Sequence, residues 1–132
     1  MRSFAFGMLV ALLALSLSCS KDHRDLPTSF DYSPLPTPTG FTVTGGEERS
    51  ILSWSYDAAA RASVDSFNVY LYFEAYGTVE LELVGRTTDT FFVHFPLPGN
   101  VMYCYKVSAV DKTGFEGWRT EKEQCTFVWS VQ

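Results

Sequence analysis

The chain has 132 residues, 46% of them hydrophobic and 16% aromatic, with a formal net charge of −5. That length accommodates one domain, and the apolar content is too high for a disordered chain. An acidic chain without a Lys/Arg cluster argues against a nucleic-acid partner, whose affinity rests on neutralising phosphates, and against electrostatic adhesion to anionic lipid. Three cysteines leave one over after any single internal bridge.

Arg2 precedes an almost unbroken apolar run over 4–17, which Ser18, Cys19 and the charged stretch Lys21-Asp22-His23-Arg24-Asp25 follow directly. A membrane-spanning helix needs roughly 20 residues. The run is shorter, so residues 1–18 read as a secretory signal. Ser16-Leu17-Ser18-Cys19 resembles the lipobox of bacterial lipoproteins. The leucine that family prefers three places before the cysteine is replaced by Ser16, between Leu15 and Leu17. The resemblance implies that Cys19 is lipidated and begins the mature chain, which accounts for the odd cysteine. Diacyl plus a further acyl group such as palmitate would hold the chain firmly, since stable anchoring takes at least two lipid chains. Losing Arg2 takes the net charge from −5 to −6. Ser20, rather than aspartate, after the cysteine implies the outer membrane of a Gram-negative cell, facing either the periplasm or the surface.

Residues 19–34 form the tether, and Pro27, Pro34, Pro36 and Pro38 make the stretch before the first strand an extended, semi-stiff spacer. From Gly40 the chain becomes short strands divided by turn signals, the pattern of an all-β sandwich over 35–129. Phe41 and Val43 alternate with threonines, and Gly45-Gly46-Glu47-Glu48 reads as a turn. Ser50 to Tyr56 is a strand with Leu52 and Trp54 on one face. Residues 58–63 are a loop, with room for a helical turn. Phe67, Val69 and Leu71 alternate, Tyr76-Gly77 turns, and Val79, Leu81 and Leu83 alternate with Glu80 and Glu82, which predicts a strand with one wet face. Thr90 to Phe95 is a strand and Pro96 to Asn100 a turn. In 103–109, Tyr103, Tyr105, Val107 and Ala109 face one way and Cys104, Lys106 and Ser108 the other. A loop with Gly114 and Gly117 follows, and 121–129 closes the domain.

Several of these residues together resemble the fibronectin type III pattern. Leu52-Ser53-Trp54 is similar to its strand B, Phe67-Asn68-Val69-Tyr70-Leu71 to its strand C, and Leu97 six residues before Tyr103 to its leucine, turn and tyrosine corner. Val107, Ala109, Val110 and Asp111 complete the match, which covers 35 to 128. The implied fold is one immunoglobulin-like β-sandwich of about seven strands. Trp118 and His94 depart from the family's usual residues, and both are expected to concern local surface. The resemblance places Cys104 and Cys125 on strands F and G. If the two lie opposite, a disulfide is in reach, export permits oxidation, and the turn centres between Gly114 and Phe115. The same register sets Lys106 against Glu123 as a cross-strand pair. It also turns Lys122 and Gln124 inward and Phe127 outward, a conflict that a bulged edge strand relieves.

The chemistry-bearing residues are sparse. His23 falls in the tether and His94 in a strand, and neither has ligands at metal spacing. There is no phosphate loop and no nucleophile elbow. Glu80 and Glu82 share a face, as a catalytic carboxylate pair does, but their alternation with apolar residues marks a solvated face. No enzyme activity and no cofactor is expected. Phe115 and Trp118, aromatic residues of the F–G loop, are the candidate partner-binding residues. A second aromatic run, Tyr70, Tyr72, Phe73 and Tyr76, has outward members suited to a sugar or a partner sheet. The expected function is a non-catalytic envelope lipoprotein binding a protein or glycan through its loops. The alternative is a structural spacer or small subunit of a larger envelope complex.

Overall fold

The computed structural model describes residues 35–131; the signal, Cys19 and the tether lie outside them. Seven strands follow in order: β1 (Thr39–Gly46), β2 (Arg49–Ser55), β3 (Val64–Ala75), β4 (Thr78–Thr87), β5 (Phe91–His94), β6 (Val101–Asp111) and β7 (Gln124–Val128), with a short 3-10 turn at Arg61–Ser63 between β2 and β3. They form two antiparallel sheets, β1-β2-β5 and β4-β3-β6-β7. This is the fibronectin type III-like sandwich that the sequence implies.

Period-two alternation builds the core. Leu52 and Trp54 from β2 meet Phe67 and Val69 from β3 and Tyr105, Val107 and Ala109 from β6, all buried, and Leu35 joins the same cluster. Trp54 stands edge-on to Phe67 at 5.4 Å and to Phe41 at 6.4 Å. Such aromatic pairs contribute about 0.5–1.5 kcal/mol each beyond their burial. Tyr103 Oη donates to the Pro98 carbonyl at 2.9 Å and Leu97 is buried, so the expected tyrosine corner is in place.

The turn after β1 falls in the second half of the expected Gly45-Gly46-Glu47-Glu48 stretch. Gly45 and Gly46 are paired with Ser50 and Arg49 inside the hairpin, and Glu48, with φ of 52°, makes the turn. Gly45 is glycine because the β7 backbone passes there: a Cβ would collide with the Phe127 carbonyl. Beyond β7, Trp129 continues as a parallel bridge to Glu47, clamped by Glu48 N–H to Trp129 O (2.8 Å) and Trp129 N–H to Gly46 O (3.4 Å).

Two expectations about faces are overturned. A bulge in β4 inserts Val84 between the pairs Val69–Gly85 and Tyr70–Leu83. It reverses the parity of the outer half of β4, so Leu83 and Leu81 lie beside Tyr70 and Tyr72 on the outer face. Val79 and Leu83 are about half exposed, at 56% and 51%. Glu80 and Glu82 pair with Phe73 and Leu71 and stay exposed because β4 is an edge strand. His94 is not a local surface feature either. It is paired with the buried Ser50, and its Nδ1 lies 2.9 Å from the hydroxyl of the fully buried Tyr105.

Candidate binding surfaces

The loop between β6 and β7 carries Phe115 and Trp118, and local hydrogen bonds give it a fixed shape. Asp111 Oδ1 accepts from Thr113 N (2.8 Å), Thr113 Oγ1 (2.6 Å) and Phe115 N (2.9 Å). Led by the Thr113 hydroxyl, these bonds hold the Asp111 carboxyl below its ordinary value. Gly114, with φ of 89°, completes the reversal. The returning chain runs back along β6 through the Val110–Glu116 bridge, Gly117 N–H to Ala109 O (2.8 Å) and Thr120 N–H to Val107 O (2.9 Å).

The expected pairing of Cys104 with Cys125 is present, with a disulfide and a Cα separation of 4.0 Å. Its register runs only from Val101–Val128 to Tyr105–Gln124. Nearer the loop the pairing is offset, because Val110 meets Glu116. The turn therefore precedes the predicted centre at Gly114–Phe115, and the extra residues are taken up before β7. Lys106 and Glu123 fall outside the paired register. The Lys106 ammonium instead donates to the Glu121 carbonyl at 2.9 Å and lies 5.6 Å from the Tyr72 ring centre. Phe127 does face outward, and the conflict over Gln124 is eased because Gln124 sits exposed at the start of β7.

Glu116, which belongs to no motif or periodic pattern in the sequence, organises the outer face of the four-stranded sheet. Its Oε1 accepts from Tyr70 Oη and Ser108 Oγ, both at 2.6 Å, and Arg119 Nε is 3.8 Å away. Asn68 Nδ2 donates to Tyr70 Oη, Arg86 Nε donates to Asn68 Oδ1, and the Arg119 guanidinium stacks on Tyr70 at 4.4 Å. Burial pushes the Glu116 carboxyl up, but the Ser108 and Tyr70 hydroxyls and the Arg119 charge outweigh it and hold it below the ordinary value. A carboxylate held by this many donors is a tie between loop and sheet, not a poised acid.

The network explains the second aromatic run. Tyr70 is buried under the loop, Tyr72 is half-buried below Lys106, Phe73 faces the other side, and Tyr76 is exposed at the β3–β4 turn. Trp118 is 76% exposed and Phe115 42%. Between them Gly117 packs against Leu35, where a Cβ would come within 2.9 Å of the leucine Cβ. The described chain thus joins the sandwich at the pole that carries the β6–β7 loop. At the same pole are the 57–63 loop, whose Arg61 hydrogen-bonds Thr88 O, and the β4–β5 connection.

Among the described residues no cluster of three or more His, Cys, Asp or Glu has the geometry to hold a metal ion. His94 is a base beside a phenol, but both face the inside of the sandwich. Burial lowers the His94 pKa, partly offset by Glu82, and burial pushes Tyr105 up to about 12.

No family model and no curated protein matches the sequence. Solved structures do. A Fn3-like protein from Clostridium thermocellum superposes with a TM-score of 0.57 at 20% identity, covering 76% of this chain and 99% of its own. The third fibronectin III domain of human KIAA0343 protein gives a TM-score of 0.60 at 14% identity, covering 75% and 86%. Domains A168–A170 of titin give 0.57 at 23% identity, covering 71% and 32%. At these identities the likeness establishes the fold.

Proposed function

We propose that this chain is a non-catalytic lipoprotein of the bacterial envelope that displays one fibronectin type III-like module for binding a protein or glycan. Acyl chains on Cys19 hold it in the membrane, and by the lipobox resemblance that is the outer membrane. The fold supports a binding or structural module. The observation that favours binding is the state of the apolar side chains left outside the core. Trp118 is 76% exposed on a loop fixed by Asp111 and Glu116, and rigid exposed aromatics are what interfaces use.

A structural spacer or small subunit of a larger envelope complex is the second reading. It draws on β4, which ends its sheet and presents an outer edge without a strand partner among the described residues.

Two experiments test the proposal. Intact-mass analysis of the membrane fraction is expected to show a chain that starts at lipidated Cys19, and Cys19→Ala is expected to release the protein from the membrane. A mature chain starting elsewhere with a free thiol overturns the anchor. The Phe115→Ala/Trp118→Ala double variant should stay folded and lose partner contact if the β6–β7 loop contributes. Retention of every partner moves the contact to another surface of the sandwich.

A further inference from the structure

Exposed apolar residues gather at the pole opposite Leu35. Tyr76 tips the β3–β4 turn, Phe95 follows β5, Trp129 and Val131 follow β7, and Met102 pairs with Phe127 one step inside the end of the β6–β7 ladder. Backbone contacts join the segments that follow β5 and β7: Leu97 N–H donates to Glu48 O, Asn100 N–H to Val128 O, and Gly99 packs against Ser130. Tyr76 lies at the same end of the sandwich, where β3 runs past its Tyr72–Cys104 pair toward the start of β6. Met102 is 65% exposed and Phe127 50%. A concentration of this kind on one end of a small domain marks an interaction site, whereas scattered single residues do not.

The side chains rise from fixed backbone. Trp129 is clamped to Gly46 and Glu48 on both sides, the Cys104–Cys125 bridge joins the strands of Met102 and Phe127 two residues away, and the Arg49 guanidinium sits 4.9 Å over the Phe95 ring. Little backbone ordering entropy remains to be lost at these positions on binding. The rim is acidic. Glu47 and Glu48 in the β1–β2 turn and Glu74 and Glu80 on either side of the β3–β4 turn are exposed at this end, and Arg49 already lies on Phe95 and donates to the Glu47 carbonyl. Such a rim repels anionic headgroups and attracts a basic surface.

We propose that this pole docks a protein whose own apolar patch is ringed by lysine and arginine. The inference goes beyond the binding reading above by adding a second contact surface, at the end of the sandwich opposite the β6–β7 loop. It rests on that reading only for the display of the domain at the envelope.

The test uses the full-length protein in its native envelope, with a photo-crosslinking phenylalanine analogue placed at Tyr76, Phe127 or, as the contrast, Trp118. The expected result is an adduct to one other protein from both Tyr76 and Phe127, with no adduct to that same protein from Trp118. With that protein purified, Met102→Ala/Trp129→Ala should weaken binding about tenfold or more. Glu47→Lys/Glu74→Lys should slow association and flatten its salt dependence, while both variants keep the wild-type melting temperature. Adducts from Trp118 alone, to a second copy of the chain, to lipid, or to nothing at all overturn the proposal, as does binding unchanged by charge reversal. Membrane partition and the mass of the Cys19 terminus, measured on the same samples, report on the anchor separately, so the two readings can fail independently.

Discussion

Glu116 Oε1 lies 2.6 Å from both Tyr70 Oη and Ser108 Oγ, so one carboxylate of the β6–β7 loop ties together the two central strands of the larger sheet. The tie has a thermodynamic consequence. Glu116→Ala strands two largely buried hydroxyls and leaves Arg119 without its partner, and should cost about 2–3 kcal/mol. Glu116→Gln keeps an acceptor and should cost about half that. Urea denaturation measures both, and amide exchange should show the loop around Trp118 losing protection in the alanine variant. Because the folded carboxyl titrates below its ordinary value of 4.5, its contribution is present above that pH and is lost as pH falls through the lower, folded value. An acid melting series should show this loss in the wild type and not in Glu116→Gln.

His94 makes a second, separable pH effect. Burial between the sheets lowers its pKa from 6.5, so below about that pH the unfolded chain binds more protons than the folded one. Stability should therefore fall as pH drops below 6.5, before Glu116 is affected. His94→Gln, which can still hydrogen-bond Tyr105 and carries no charge, should flatten the melting temperature between pH 6.5 and 5. An equal slope in the variant would assign the effect to other groups.

The core strands were legible because each sends alternate residues into the core. Leu52 with Trp54, Phe67 with Val69, and Tyr105 with Val107 repeat at period two, and local pattern plus composition identifies such segments. The Cys104–Cys125 pair and the Tyr103 corner were legible through the resemblance to the fibronectin type III pattern, which places the cysteines on neighbouring strands and Tyr103 after its turn. The parity of β4 was hidden, because Val84 looks like any other strand residue until its partner strand is known to advance by one less. The burial of Tyr70 was hidden too. It depends on Glu116 and Arg119, 46 and 49 residues further along the chain, folding back over it. Surface assignments fail where a loop covers a sheet face, and period two cannot report that.

Gly45 offers a check on the packing of β1 against β7. A Cβ there meets the Phe127 carbonyl and the Thr126 hydroxyl, so Gly45→Ala must push β7 away from β1. The expected cost is about 1–3 kcal/mol, the range for overpacking, and the hydrogen bonds that clamp Trp129 should be the first to open. Gly77, where a Cβ meets nothing within 4 Å but φ is 78°, is the comparison: Gly77→Ala should cost only about 1 kcal/mol, through backbone strain. Equal costs, read by chemical denaturation, would show that β7 does not press on Gly45.

The disulfide joins β6 to β7 at the part of the ladder beyond the shift in pairing, across a sequence separation of 21. Closing a loop of this size restricts the unfolded chain and should contribute about 3 kcal/mol, a large share of the stability of a domain this small. Reduction should leave the folded state in place, since Val128 stays buried and the Trp129 clamp and Thr120 hydrogen bonds do not involve sulfur. The measurement is urea unfolding with and without dithiothreitol, matched by a Cys104→Ser/Cys125→Ser variant. The midpoint should fall in both cases to the same value, and the oxidised chain should migrate faster on a denaturing gel. A midpoint that does not move would mean that β7 is fixed in the folded state by its hydrogen bonds alone and that the unfolded chain is already restricted near residues 104–125.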